Sequence, residues 1–348
     1  MNEKPRSSGI LLLAAVCGTF CTAQQVTTVE PSKVIDVRAL VRARTLRQDF
    51  EFAGLAQSNG RWAVVVDFKT TKTSIIVTGS ERESPAFSDY IDGLADRVAM
   101  DPSGRIYLRM FPTPGFTEFE IRDSGLREGR RQKLKTAARP EPVSSSAGVF
   151  WIEGNIGKEL FRVSPGSRIH AGSLERNLAQ RAESELAPNV PPLPESRTVL
   201  ALENGTDAPR WIEVKHVAEE VATFENNGRP LTRNKLELDP AYTAAGFPVP
   251  QRNPQDGTML FRWAAASRSG DLYLCLTSVP VGRPRPIAIT DPLTGRLRKI
   301  LSLVMPTSPE RVDQYNPQGF MYPTLDALDD RLVVMDAGIG ILGVYAVN

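Results

Sequence analysis

The stretch Ala99 to Arg122, AMDPSGRIYLRMFPTPGFTEFEIR, constrains the fold more than any other part of the chain. Ile106, Leu108 and Met110 alternate with Arg105, Tyr107 and Arg109, and Phe116 to Arg122 is a second run rich in β-formers. Alternation puts one set of side chains on one face of a pleated strand, and β-branched and aromatic residues suit that surface. Ser103-Gly104 supplies the backbone freedom of a tight reversal. Pro112 and Pro114 cannot donate ladder hydrogen bonds, so they belong between strands, and glycine and proline together break any continuous helical period. The unit reads as turn, strand, turn, strand.

The same order returns in Ala56–Gly79, Ser144–Gly166, Ala265–Gly295 and Asp326–Val347, and more weakly in Thr198–Gly228. A fixed succession of elements repeated along a chain marks a repeat architecture. With turns at regular spacing and no helical layers, the expected class is all-β, and six copies of about four strands predict a β-propeller of six blades, with seven as the alternative. The last copy ends after its third strand. A closed ring needs a fourth, and the lead-in, where Val34, Ile35, Val37, Leu40 and Val41 make a β-compatible patch, predicts a strand from Lys33 to Arg42 that pairs with the last blade. Two insertions interrupt the copies. In 171–195, Ser173 could cap a short helix reaching Leu186. In 239–257, the run AGFPVPQRNPQDG predicts a long loop on one face.

The elements DPSGRIYLRM, SRSGDLYLCL and DDRLVVMD resemble blades of the six-bladed β-propeller superfamily, including NHL-repeat and TolB-like proteins. The resemblance covers most of the chain and implies architecture. Spacings depart from the tighter NHL pattern, and function does not travel with a fold of this kind.

Lys4 and Arg6 precede an apolar run, Ile10 to Val16, and Cys21-Thr22-Ala23 offers small residues before a cut that leaves Gln24 first. This is the pattern of a secretory signal peptide over residues 1–23. It predicts a secreted or periplasmic protein with one propeller domain over 24–348. Cys17 and Cys21 raise a lipoprotein reading, which the bulky Val16 and Phe20 before them disfavour. The apolar run is shorter than the roughly 20 residues that span a bilayer, and no later stretch reads as transmembrane. Without the leader one cysteine remains, Cys275, inside a β run, and its expected role is a small buried hydrophobe.

The net charge is +2, which argues against nucleic acid as a partner. The densest basic stretch, Arg127 to Arg139, reads as a solvated outer strand or loop. The two histidines, His170 and His216, have no second histidine at ligand spacing, so no histidine-based metal or catalytic site is expected. Nucleophile elbows, P-loops and dinucleotide fingerprints are absent in context, and GIGILG, Gly338 to Gly343, reads as a hairpin turn. No catalytic, cofactor-binding or metal-ligating residue is assigned. Glu203, Asn204 and Asp326, near the ends of expected inner strands, are the carboxylate and amide groups that a calcium site in the channel could draw on, although turn acids are common for backbone reasons alone. Asn204-Gly205-Thr206 also matches a glycosylation sequon.

Two functions follow as expectations. The first is an exported, non-enzymatic propeller that binds a protein, peptide or glycan through its loop face. The alternative is a calcium-dependent propeller hydrolase or lyase of lactonase type.

Overall fold

The computed structural model describes residues 26–347 apart from 45–49, 59, 69–71, 80–83, 112–114, 123–124, 134–140, 146–147, 154–158, 164–169, 174–196, 203–209, 226–228, 253–258, 268, 278, 280–282, 306–320 and 326–330. The signal-peptide expectation and the helix expected up to Leu186 lie outside these residues.

Two short strands come first, β1 (Val26–Val29) and β2 (Pro31–Asp36), then helix α1 (Val37–Arg44). After them the strands run in groups of four. The first group is β3 (Phe50–Ser58), β4 (Arg61–Phe68) and β5 (Lys72–Gly79), with a broken fourth strand whose fragments β6 (Ala86–Phe87) and β7 (Ile91–Asp92) pair with β5 at separate places. The second is β8 (Leu94–Met100), β9 (Ile106–Phe111), β10 (Gly115–Arg122) and β11 (Gly125–Lys133). The third is β12 (Glu141–Ser145), β13 (Gly148–Glu153), β14 (Glu159–Val163) and β15 (His170–Ser173), which takes in the first residues of the insertion expected from 171. The fourth is β16 (Arg197–Leu202), β17 (Arg210–Lys215), β18 (Glu220–Phe224) and β19 (Pro230–Lys235). Helix α2 (Asp239–Ala244) leads to the fifth, β20 (Phe261–Ala266), β21 (Leu272–Leu276), β22 (Arg285–Thr290) and β23 (Leu297–Leu303). The sixth has three strands of its own, β24 (Met321–Leu325), β25 (Arg331–Asp336) and β26 (Ile341–Ala346).

Among the described residues each group forms its own antiparallel sheet, six in all. The first strands β3, β8, β12, β16, β20 and β24 adjoin one another in that order, and β24 adjoins β3. Six sheets set radially around an axis, with the ring closed, make a β-propeller. The apolar clusters lie between neighbouring blades. Val64, Val66 and Phe68 meet Val333, Met335 and Leu342 between the sixth and first, and Ile212, Val214 and Val221 meet Leu272, Leu274 and Ala288 between the fourth and fifth. Both faces of most middle strands are therefore covered, which is why β4, β5, β21 and β22 are buried at nearly every position instead of at alternate ones.

The lead-in completes the ring, as expected, but with an added strand and a different ending. β2 pairs antiparallel with β26, placing Lys33 opposite Val344 and Ile35 opposite Leu342, and so supplies the sixth blade's outer strand. β1 runs parallel to β23 as a fifth strand on the fifth blade, which the sequence reading missed. The strand stops at Asp36, and residues 37–42 are helical. Asp36 caps the helix, its Oδ1 accepting the Ala39 N–H at 2.8 Å, as an N-cap acid does. Val37 and Val41, one turn apart, are both buried, so the apolar spacing that looked like alternation is an i, i+4 pair. The Gly340 carbonyl takes the Val37 and Arg38 N–H groups at 3.0 and 3.1 Å. Gly340 sits in the β25–β26 hairpin turn at φ +75°, and a Cβ there would come within 2.7 Å of the Arg38 Cβ, so GIGILG is the hairpin expected.

The quoted repeat has a common turn chemistry. In the second blade, Asp101 Oδ1 accepts the Arg105 N–H at 2.9 Å and the Ser103 hydroxyl at 2.6 Å, while the Tyr107 hydroxyl lies 3.2 Å from Oδ2. In the fifth, Ser267 stands in for Asp101, its Oγ accepting the Asp271 N–H at 2.8 Å. Gly104 and Gly270 hold the matching left-handed position at φ +88° and +95°. The basic stretch from Arg127 begins on β11, the outer strand of its sheet, where residues 127–129 are exposed, as expected of a solvated edge. The 239–257 insertion contains α2, which was not expected because the helix is short and has Pro240 in its first turn.

Because β1 and β2 supply outer strands to two blades, deleting residues 26–36 exposes β23 and β26 as edges. Thermal unfolding of that variant is expected at a clearly lower temperature. Adding a synthetic peptide of residues 26–36 is expected to restore part of the loss in a concentration-dependent way.

Candidate functional site

In a four-stranded antiparallel blade, the turn between the second and third strands and the link to the next blade emerge at the same end. The ring therefore has one end carrying the inter-blade links, including α1 (37–44) and the 236–260 segment with α2. The opposite end carries the shorter turns, such as 101–105, 267–271 and 291–296. This link-bearing end holds the features that could receive a ligand.

The first feature crosses the axis. The inner strands of the first, second and fifth blades each carry a β-bulge, between Phe52 and Gly54, Ala95 and Arg97, and Phe261 and Ala264. A bulge breaks strict alternation and re-aims a side chain. Arg97 and Trp263 lie at two of them, on blades that face each other across a ring of six, and the Arg97 guanidinium sits 5.0 Å from the Trp263 ring centroid. A cation over an aromatic face at this range is a favourable pairing. It spans the channel and puts a fixed positive charge there. Nothing local in the sequence singles out Arg97.

The second is a buried ion pair joining the fifth and sixth blades. Arg285 Nε lies 3.4 Å from Asp336 Oδ2, with side chains 4% and 1% exposed. Arg285 Nη1 donates to the Val279 carbonyl at 2.5 Å, and Asp336 Oδ1 accepts the Gly338 and Ile339 N–H groups at 2.9 and 3.3 Å. Burial pushes the Asp336 carboxyl above its ordinary range despite the opposing pull of Arg285 and the two turn N–H groups. Cys275 lies in the same interface. Burial, with a smaller contribution from Asp336, pushes its thiol up, which leaves it unreactive, as expected of a small core residue.

The third is the anchoring of the 236–260 segment. Tyr242 is fully buried, its hydroxyl 2.5 Å from the Leu260 carbonyl and 3.0 Å from that of Thr277. Arg252 grips Glu219 with two bonds, Nε to Oε1 at 2.7 Å and Nη2 to Oε2 at 3.0 Å, and reaches Asp239 as well. His216, just beyond β17, is buried with Nε2 2.8 Å from Thr198 Oγ1 and its ring edge-on to Phe261 at 5.1 Å. It packs the fourth blade against the fifth.

The fourth is a cavity of about 110 Å³ between α1 and the first blade, where the outer strand breaks between β6 and β7. Val41, Val66, Phe68, Ile76 and Phe87 form its apolar wall, with Arg44, Asp89 and Tyr90 among the other lining residues. Nothing in the sequence marked it, because its parts come from 37–44, 61–79 and 86–90 and meet only through ring closure.

Glu203, Asn204 and Asp326 lie outside the described residues. His170 is on β15 opposite Arg162 of β14. Among the described residues, no three His, Cys, Asp or Glu side chains come together as a group that could hold a metal ion, and no helix is long and apolar enough to cross a membrane.

Fold and site thus define a β-propeller with a link-bearing end. No protein-family model matches the chain, and no curated protein matches it. Among solved structures it is similar to a catalytically inactive virginiamycin B lyase from Staphylococcus aureus with quinupristin, at 10% identity and a TM-score of 0.48 over 91% of this chain and 99% of that one. It is also similar to a gluconolactonase from Xanthomonas campestris, at 12% identity and 0.45 over 87% and 88%. A third is YCF48 bound to D1 peptide, at 11% identity and 0.44 over 86% and 79%. At these scores the likenesses say nothing of activity, and the propeller stands on its strand topology.

Asp336→Ala leaves Arg285 buried without its counter-charge, so chemical denaturation should show a loss of about 3–5 kcal/mol. The double replacement Arg285→Met with Asp336→Leu should recover most of it. With its carboxyl held above the ordinary range, Asp336 binds its proton more tightly in the folded state. Its contribution to stability therefore declines as pH rises from the ordinary carboxylate range through the raised value, and the double variant should lack that slope.

Proposed function

We propose that the protein is an exported, non-enzymatic propeller that binds a protein, peptide or glycan partner through the end of the ring carrying the inter-blade links. The observation that carries this reading is the unequal distribution of structure between the two ends. Both helices, the cavity beside α1 and the Arg252 clamp are at one end, and the shorter turns are at the other. Binding residues commonly sit on excursions held by a rigid scaffold. The Arg97 guanidinium over Trp263 bears on the calcium-dependent alternative, because a divalent cation brought beside it would meet a like charge, and like charges in a confined site repel strongly.

The leader pattern over residues 1–23 supports export, and cleavage after Ala23 would leave Gln24 and Gln25 ahead of β1, keeping both lacing strands whole. N-terminal sequencing of protein recovered from the periplasm or medium is expected to begin at Gln24. A chain that stays in the cytoplasm with Met1 in place would overturn export.

Peptide and glycan arrays probed with the purified chain test the binding reading. Binding is expected to fall at least several-fold in Arg252→Glu, on the link-bearing end. It should be unchanged in Leu293→Lys, at an exposed turn of the opposite end. Equal loss from both variants, or loss only from the second, would count against this face.

A further inference from the structure

The cavity between α1 and the first blade has the chemistry of a site for one particular kind of group. Much of its wall is apolar, and the two serine hydroxyls within it are already engaged. The Ser74 hydroxyl lies 3.3 Å from both the carbonyl and the hydroxyl of Ser88, and Ser88 Oγ accepts the Ile75 N–H at 2.9 Å and donates to the Asp89 carbonyl at 2.8 Å. Neither asks for a ligand atom, so an entering group meets Val41, Val66, Phe68, Ile76 and Phe87. A space of about 110 Å³ has room for one aliphatic or aromatic side chain.

Two charged residues from different elements line the same cavity. Arg44, in the last turn of α1, lays its guanidinium 4.6 Å from the Phe87 ring centroid. Asp89 sits in the break of the outer strand. Both are exposed, and among the described residues neither makes an ion pair, with each other or with any other side chain. Stacking on Phe87 fixes the plane of a planar donor fork whose natural complement is a carboxylate. Tyr90, 47% exposed and edge-on to Phe68 at 5.3 Å, offers an aromatic surface beside the opening.

We propose that this cavity binds the C-terminal residue of a peptide when that residue is apolar. The side chain fills the cavity, the terminal carboxylate pairs with Arg44, and the backbone N–H of the same residue donates to Asp89. This assignment rests on the partner-binding reading above and names the peptide end as what one part of that face recognises. It explains why an acid and a base sit unpaired around an apolar hole, since a free C-terminal residue presents an acceptor and a donor on either side of one apolar group.

Fluorescence anisotropy with the full mature chain and labelled hexapeptides ending in Leu or Phe tests it. The free-acid peptides are expected to bind saturably, and their C-terminal amides about tenfold more weakly, the factor that about 1.4 kcal/mol corresponds to. Arg44→Gln, an exposed change on a short helix, is expected to bring the free acids down to the level of the amides while leaving the melting temperature unchanged. Peptides ending in Lys or Asp are expected to bind no better than the amides. Equal binding of acid and amide, retention of the preference in Arg44→Gln, or no saturable binding by any of the peptides would overturn the assignment. Its failure is distinct from failure of the face as a whole, because the Arg252→Glu comparison reads a separate part of that face.

Discussion

Inter-blade burial is the constraint on which the rest of the structure depends. The middle strands are apolar on both faces, so no sheet can stand alone and each must be covered by the next. A row of such sheets leaves two bare faces unless it closes on itself. Fully burying one Val, Leu or Ile side chain contributes on the order of 1.5–3 kcal/mol. An open ring would expose such residues on two faces together, Val64 and Val66 on one and Val333, Met335 and Leu342 on the other. Closure is therefore the arrangement the burial pattern demands, and it falls to the start of the chain to complete it. β2 finishes the sixth blade and β1 extends the fifth, so a break at that seam would have to undo two strands.

Polar groups buried at the seams do a different job from the apolar ones. Arg285 and Asp336 join the fifth blade to the sixth, but a buried pair of this kind is weak evidence for stability, since each charge has lost its hydration. Asp336 also organises the β25–β26 turn through two N–H groups, and that turn presents the Gly340 carbonyl to the start of α1. A chain of contacts thus runs from a charge pair between two blades, through a hairpin, to the helix that roofs the cavity. The cavity depends on the position of α1, and α1 depends on ring closure.

The link-bearing end and the channel differ in chemistry for a topological reason. Bulges in three inner strands re-aim side chains at the axis, and two of those bulges bring Arg97 and Trp263 together across it. The links lie outside the axis and are free to vary in length, because each has only to join the end of one sheet to the start of the next. Side chains can vary there without disturbing the ring, as Arg44 over Phe87 and the Arg252 clamp illustrate.

By itself the sequence determined the blades. Alternating β runs, prolines between them and a repeated Asp- or Ser-marked turn with glycine are local signals, so the strands around Asp101, Ser267 and Gly340 could be read without coordinates. It also showed that the last copy lacked a strand and where that strand should come from. It misjudged residues 37–42, where Val37 and Val41 fit a strand face and a helix face equally well over so short a span, and only the docking site on Gly340 decides between them. The parallel strand β1, the crossing of Arg97 over Trp263 and the cavity beside α1 belonged to the tertiary structure alone. Each joins residues from distant parts of the chain, and side chains without local periodicity acquire their neighbours only when the ring has closed.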